Sequence, residues 1–224
     1  MANSKQFQPF LLVVLAFSGF IPCLCCPQFQ REALLQFKSL IFPKYDSSDL
    51  NSWNSSSSDC CQWKRVTCSG TNVAPKQVIG LSLNFVGASY FPSDALSPLF
   101  LLRSLVNIPG VGLANLTALV KLDMSANKFN GSLPGDLFSL SKLEFLDLTD
   151  NMIKGHVDRS LGSLRSLKEF YLDNNFVKGE IPAEIGNITD LQIFSLRGNV
   201  FSGRIPSSLF YYLKRLEILD LGDN

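Results

Sequence analysis

The sequence predicts an α/β solenoid, a right-handed superhelix of stacked repeats that begins with a disulfide-bonded cap. A stretch of alternating apolar and polar residues beginning at Leu119 returns at a nearly constant interval, and a cysteine-containing segment precedes it. Such repeats cannot bury their apolar faces alone, so they must stack, and the terminal repeat needs a cap. We assign residues 1–25 to a signal peptide, 26–75 to the cap, 76–118 to irregular first repeats and 119–224 to regular repeats, the fifth of them truncated.

The regular repeats align on a leucine at positions 119, 143, 167, 191 and 216, so successive starts lie 24, 24, 24 and 25 residues apart. This period, with the spacing LxxLxLxxN, is the signature of a leucine-rich repeat solenoid. The alternation of apolar and polar residues is typical of a strand with one buried face. The asparagines that end the pattern are predicted to form a ladder, because a buried amide can satisfy several backbone groups of a tight turn. They are Asn127, Asn151, Asn175, Asn199 and Asn224.

A second motif, FxGxLP or a close variant, follows each of the first four asparagines. Its glycine permits a turn that a side chain would obstruct, and its proline ends strand pairing. In the second copy Asp158 stands where proline is expected. We therefore expect an irregular second strand in that repeat.

The first residues are predicted to be a secretory signal peptide. Lys5 precedes an apolar core of twelve residues, 10–21, and cleavage is expected after Cys25 in a small-x-small site. Twelve residues are too few to span a bilayer, which needs about 20.

Cleavage would leave Cys26, Cys60, Cys61 and Cys68, and four cysteines allow three pairings. Disulfides are the favoured interpretation in a secreted chain, and a zinc site is the alternative. Adjacent cysteines such as Cys60 and Cys61 are not expected to bond to each other.

The segment between these cysteines predicts an amphipathic helix over residues 31–41. Trp53 and Trp63 are interpreted as cap core rather than ligand contacts, because large aromatic side chains mostly supply buried area. The apolar face of the helix is predicted to carry Ala33, Leu34, Phe37, Leu40 and Ile41.

The region between cap and regular repeats breaks the pattern. Residues 78–83 fit a first strand, and Leu105 fits the start of a second repeat although it lies only 14 residues before Leu119. About ten residues of the repeat pattern are absent here. We expect that a segment has been lost, because a missing strand would break the sheet. The protein is also expected to continue beyond Asn224, since an exposed apolar rung promotes aggregation.

Two features carry a resemblance to a known family. QREALLQFKSL, SWN and DCCQWKRVTC resemble the N-terminal cap of plant leucine-rich repeat receptors, and FxGxIP resembles the plant-specific class of the repeat. Arg65 stands where that family usually has glycine, so the local turn would have to form without glycine. The resemblance implies the disulfides Cys26–Cys60 and Cys61–Cys68. The chain most resembles receptor-like proteins, which have an ectodomain and a membrane helix but no kinase.

The resemblance implies an ectodomain that recognises an extracellular elicitor or peptide in defence or development and signals through partner kinases. Such a protein would lie at the outer face of the plasma membrane, as part of a longer receptor, or in the apoplast. Two alternatives stay open. One is a secreted inhibitor of a microbial cell-wall hydrolase, similar to polygalacturonase-inhibiting proteins, and the other is the ectodomain of a receptor kinase.

The solvent-facing strand positions are the predicted binding site. Side chains two apart on a strand point the same way, so these positions form one face on the concave side. Aromatic and apolar side chains in such positions resemble an interaction hot spot. Asp123, Asp147 and Asp220 in the same columns are interpreted as keeping the strands soluble. The candidate ligand-binding residues are Lys121, Phe145, Glu169, Tyr171, Asp173, Ile193, Arg197 and Ile218.

Composition and motifs argue against catalysis and nucleic-acid binding. The net charge is +1, and no basic stripe is present. The single histidine, His156, has no partner at a recognisable motif spacing and is interpreted as a solvated surface residue. We predict no enzyme activity, no cofactor and no metal. Four NxS/T sequons are predicted glycan acceptors, at Asn54, Asn115, Asn130 and Asn187.

Overall fold

The computed structural model describes residues 26–41, 50–70, 75–84, 106–108 and 110–224. The predicted signal peptide, its cleavage site and Leu105 lie outside these ranges. No helix within the ranges is both long enough and apolar enough to cross a bilayer.

The cap begins with helix α1, Gln28–Ile41, three residues before the predicted start at residue 31. Ala33 and Phe37 are buried, and they meet the helical turn Gly110–Leu113. A Cβ on Gly112, whose φ is +95°, would lie 2.8 Å from the Ala33 carbonyl oxygen, so this close approach requires glycine. The prediction that Leu40 is buried is wrong. It is 45% exposed because it lies a turn beyond this contact.

The cap disulfides join Cys26 to Cys60 and Cys61 to Cys68, which confirms the pairing that the family resemblance implied. Sulfurs bonded in this way are not the thiolates that a zinc site needs. Trp53 is 1% exposed, and its ring stacks on that of Trp63 with 5.8 Å between the ring centroids. Both tryptophans therefore belong to the cap core, as predicted.

The glycine position of the cap is filled by Arg65 in a left-handed conformation, with φ +68°. This backbone conformation costs a residue with a side chain about 1–2 kcal/mol. The guanidinium offsets part of the cost, because Nη1 donates to the carbonyl oxygens of Ser82 at 3.2 Å and Asn84 at 2.9 Å. The turn therefore forms without glycine.

The described residues form two sheets. The strands of the first, here called the long sheet, are β1 Val66–Cys68, β2 Val78–Ser82, β4 Lys121–Asp123, β6 Phe145–Asp147, β8 Glu169–Tyr171, β10 Ile193–Ser195 and β12 Ile218–Asp220. They lie in the order β1-β2-β4-β6-β8-β10-β12. Strand β1 runs antiparallel to β2, and every later pair is parallel. From β4 to β10 the paired residues are one 24-residue repeat apart, so Leu122 lies opposite Leu146 and Leu146 opposite Phe170.

The strands of the second sheet are β3 Val106–Asn107, β5 Phe129–Gly131, β7 Met152–Gly155, β9 Phe176–Gly179 and β11 Val200–Phe201. These five described strands are parallel and lie in the order β11-β9-β7-β5-β3. Four of them are the FxG segments that follow the ladder asparagines, and short helical turns then lead to the next repeat. The turns are Gly135–Ser139, Arg159–Ser163, Ala183–Asn187 and Ser208–Tyr212.

Two sequence expectations about strands are corrected. Strand β2 pairs directly with β4, while Val106–Asn107 pairs with β5 in the second sheet. The described residues that follow Leu105 therefore belong to the second sheet and not to a new strand of the long sheet, and the expected loss of a segment stays a prediction. Strand β7 is also regular and pairs on both sides.

Asp158 replaces proline without disturbing β7, because it supports the following turn in a different way. Its carboxylate accepts a hydrogen bond from the Ser160 backbone N–H at 2.8 Å and so caps the turn Arg159–Ser163. Hydrogen bonds from the Ser160 side chain and backbone lower the pKa of Asp158. The carboxylate therefore stays charged in this role.

Candidate ligand-binding face

The asparagine ladder holds the turn that follows each strand of the long sheet. Asn175 Nδ2 donates to the carbonyl oxygens of Leu148, Leu172 and Asp173 at 3.0, 3.2 and 3.0 Å, and its Oδ1 accepts from the Ile153 N–H at 2.9 Å. Asn151, Asn199 and Asn224 repeat this pattern of three donated bonds and one accepted bond. Asn127 makes the three donated bonds.

The residue before each ladder asparagine takes a left-handed conformation, with φ between 52° and 65°. This conformation turns the chain sharply from the long sheet toward the second sheet. The residues are Ala126, Asp150, Asn174, Gly198 and Asp223. The ladder and these turns together fix the ends of the strands that carry the candidate site.

We expect Asn175→Ala to lower the free energy of unfolding by about 1–3 kcal/mol, because it leaves buried backbone groups without hydrogen-bond partners. Asn174→Ala is the control. Asn174 is exposed and donates a side-chain hydrogen bond to Asp150 Oδ1 at 2.7 Å, so water can replace this bond and the loss should stay below about 1 kcal/mol. Urea unfolding of both variants measures the difference. Equal losses would contradict a dependence on burial.

The outward side chains of β4, β6, β8, β10 and β12 form a continuous surface, here called the long-sheet face. Four candidate residues on it are in contact. Lys121 Nζ lies 4.3 Å above the centre of the Phe145 ring, and the Phe145 and Tyr171 ring centroids are 5.8 Å apart. Tyr171 Oη donates to Glu169 Oε2 at 3.0 Å. The structure thus brings a cation, two aromatic rings and a carboxylate into one cluster.

The other four candidate residues lie beside this cluster. Asp173 Oδ1 accepts from the Arg197 backbone N–H at 2.7 Å, and the Arg197 guanidinium pairs with Asp223 at 2.8 Å. Ile193 and Ile218 lie directly opposite each other on β10 and β12, and Ile218 is 50% exposed. Polar and apolar candidates therefore share one surface.

The cluster is partly screened from water, and this shifts the pKa of its phenol. Burial raises the pKa of Tyr171 to about 12, with a further contribution from its hydrogen bond to Glu169. The phenol therefore stays protonated and remains a donor at neutral pH. Burial also raises the pKa of Asp147, although hydrogen bonds from Thr149 oppose the shift, and the charges of Asp123 and Asp173 add to it.

The aspartates of this face form local hydrogen bonds. Asp123 Oδ1 accepts from the Ser125 N–H and hydroxyl at 3.1 and 2.7 Å, and Asp147 Oδ1 accepts from the Thr149 N–H at 2.9 Å. Asp220 accepts from the Gly222 N–H at 2.9 Å. These bonds close the end of each strand, which gives the three aspartates a structural role beyond the predicted solubility.

Sequence reasoning missed a second row of exposed apolar side chains. It lies on the second sheet, one residue after the ladder asparagines, where Met152, Phe176 and Val200 are 38%, 56% and 56% exposed. The signal was available, since positions 152, 176 and 200 recur with the same 24-residue period. His156 lies on this side as well, against Gly179.

The four sequons remain predicted glycan sites, and the structure places them on different elements. Asn54, Asn115 and Asn187 are exposed, which a glycan requires. Asn130 is half-buried on β5, directly opposite Met152.

Sequence comparisons agree with this organisation. Residues 27–69 match the Leucine rich repeat N-terminal domain, and residues 118–140 and 166–188 match the Leucine Rich Repeat. Receptor-like protein 46 of Arabidopsis thaliana is 39% identical over 152 residues, which make up 59% of this chain and 18% of that protein.

Solved structures show the same fold. The ectodomain of the plant membrane receptor kinase GASSHO1/SCHENGEN3 from Arabidopsis thaliana, in complex with CASPARIAN STRIP INTEGRITY FACTOR 2, has a TM-score of 0.71 at 31% identity and covers 86% of this chain and 21% of that chain. A chain of the BIR3–SERK2 complex from Arabidopsis thaliana has a TM-score of 0.64 at 27% identity, with 84% and 92% coverage.

These matches confirm the predicted solenoid and the resemblance to plant leucine-rich repeat receptor-like proteins. The matched structures are receptor ectodomains, a non-enzymatic kind of protein. The chain spans about a fifth of the length of Receptor-like protein 46 and of the GASSHO1/SCHENGEN3 ectodomain, at 18% and 21%.

Proposed function

We propose that this chain, which carries the N-terminal domain and repeats of plant leucine-rich repeat receptor-like proteins, is part of an extracellular receptor ectodomain that binds a peptide or protein ligand on its long-sheet face. The observation that carries the proposal is the contact cluster of Lys121, Phe145, Glu169 and Tyr171. Aromatic and charged side chains held by one another in this way lose little entropy when a ligand binds.

The extent of the face indicates how much ligand this segment can hold. Five strands about 4.8 Å apart span about 20 Å, and each strand together with the two residues that follow it is about 15 Å long. This area of about 300 Å² is below the roughly 800 Å² per partner of a standard interface. We therefore propose that repeats of a longer ectodomain complete the binding surface.

Comparison with known ectodomains supports the proposed partners and location. One similar ectodomain was solved with CASPARIAN STRIP INTEGRITY FACTOR 2, and another similar chain comes from the BIR3–SERK2 complex. By analogy we propose an extracellular peptide or protein ligand, signalling through partner kinases, and a place at the outer face of the plasma membrane or in the apoplast. Defence and development are both compatible with this function.

The test uses the complete ectodomain and a library of secreted plant peptides. For a peptide that binds, we expect Phe145→Ala and Tyr171→Ala each to weaken binding at least tenfold, because central aromatic residues dominate such interfaces. Phe29→Ala is the control, since Phe29 is 52% exposed on helix α1, outside the long-sheet face. Thermal unfolding of each variant is measured in parallel.

Unchanged binding by Phe145→Ala and Tyr171→Ala would overturn the assignment of the long-sheet face. Weakened binding with an equal drop in melting temperature would show that the two side chains are structural. Inhibition of a fungal polygalacturonase by the same ectodomain, without binding to any peptide, would favour the inhibitor class instead.

A further inference from the structure

The outward side of the second sheet combines exposed apolar side chains with cations. We call the surface formed by Met152, Lys154, Phe176, Lys178 and Val200 the second-sheet face. All five side chains are exposed. The exposed face of a sheet is usually polar, and exposed apolar side chains rimmed by charged ones mark an interaction site.

The strand register places each lysine of this face beside an apolar side chain. Lys154 lies directly opposite Phe176 on the neighbouring strand, and Lys178 lies directly opposite Val200. Because directly opposite residues of a sheet point to the same side, each lysine and its apolar neighbour face the same ligand. The face therefore repeats one unit, a cation next to an apolar group.

These cations lack acidic partners within the described part of the chain. Neither Lys154 nor Lys178 forms an ion pair with any described residue. Glu180, two residues beyond Lys178, instead packs toward Gly203, where a Cβ would lie 2.7 Å from the Glu180 Cγ. The long-sheet face differs, because it carries aspartates close enough together that the charges of Asp123 and Asp173 add to the raised pKa of Asp147.

We propose that the second-sheet face binds an acidic segment of a partner protein that presents both apolar side chains and carboxylates to it. Charge complementarity to Lys154 and Lys178 requires acidic groups, and Met152, Phe176 and Val200 require apolar ones. This site goes beyond the ligand-binding function proposed above, because it uses the other sheet and a different ligand chemistry.

The spacing of the face fits an extended chain. Successive apolar residues are one strand apart and offset by two residues, which places them about 8 Å apart along a diagonal. Alternate side chains of an extended peptide lie about 7 Å apart. The intervening side chains of such a peptide point away from the face, so the carboxylates that pair with Lys154 and Lys178 must come from residues beyond its apolar row. An acidic polysaccharide would satisfy the lysines but leave Met152 and Val200 without apolar partners.

The probe is a synthetic peptide in which three leucines at alternate positions are flanked by glutamates on the same side, titrated by fluorescence anisotropy against the folded, disulfide-bonded protein. We expect saturable binding that weakens with salt, is at least tenfold weaker for Lys154→Glu/Lys178→Glu, and is about fivefold weaker for Phe176→Ala. The matched control, Lys64→Glu/Lys142→Glu, has the same change in net charge on other exposed lysines. It should bind as the unmodified protein does.

Three results would overturn the proposal. The first is the absence of saturable binding, and the second is an equal loss in the Lys64/Lys142 variant, which would make net charge the cause. The third is equal binding of polygalacturonate that depends on the lysines but not on Phe176, which would make the face a polysaccharide site. All substituted residues are exposed, so circular dichroism should show an unchanged fold for every variant.

Discussion

Truncation of Phe170 to alanine should lower the free energy of unfolding by about 3–5 kcal/mol. Its side chain is fully buried, and its ring stacks on that of Phe194 in the next repeat, with 5.9 Å between the ring centroids. Backbone pairing holds β8 between β6 and β10, so the structure cannot collapse into the space that the ring leaves. Urea unfolding followed by circular dichroism measures the loss.

Phe176 provides a matched control in the same repeat. It is 56% exposed, so Phe176→Ala should change the unfolding free energy by no more than about 0.5 kcal/mol. Both variants lose the same phenyl ring, so the difference between their unfolding free energies reports the burial of the Phe170 ring. Similar losses in the two variants would contradict the assignment of Phe170 to the shared core and of Phe176 to the surface.

The long sheet could be predicted from the sequence because its strands follow the repeat period directly. A shift of one residue would turn every buried leucine to the solvent, so the pattern fixes the register. The contact cluster on this face follows from the same register, which places Lys121 opposite Phe145 and Phe145 opposite Glu169. What the pattern could not supply is the direction in which each side chain turns, such as the Tyr171 hydroxyl turning toward Glu169 on the same strand.

The second sheet was harder to predict for a physical reason. Its strands are only two to four residues long, which is too short for an alternating pattern to reveal which positions face outward. Proline at the end of this motif also proved replaceable, because the Asp158 carboxylate caps the following turn by hydrogen bonding. The place of Val106–Asn107 in the second sheet could not be predicted for a related reason, since no repeat-length spacing marks this strand.

Removal of the Cys26–Cys60 disulfide by Cys26→Ala/Cys60→Ala should lower the unfolding free energy by about 4 kcal/mol. The bond closes a loop with a sequence separation of 34, and a constraint of this length removes about 4 kcal/mol of entropy from the unfolded chain. It also fixes the start of α1, whose Ala33 and Phe37 cover the helical turn Gly110–Leu113. The variant should therefore expose α1 to proteolysis before the regular repeats unfold.

The second disulfide tests whether loop length is the cause. Cys61–Cys68 has a separation of only 7, so Cys61→Ala/Cys68→Ala should lower the unfolding free energy by about 2.4 kcal/mol. Guanidinium unfolding of both double variants, with limited proteolysis at α1, compares the two bonds in one protein. If the shorter loop proved the more costly to open, local packing around Cys61 would outweigh chain entropy. If neither double variant changed the stability of the repeats, the cap would fold independently of the solenoid that it covers.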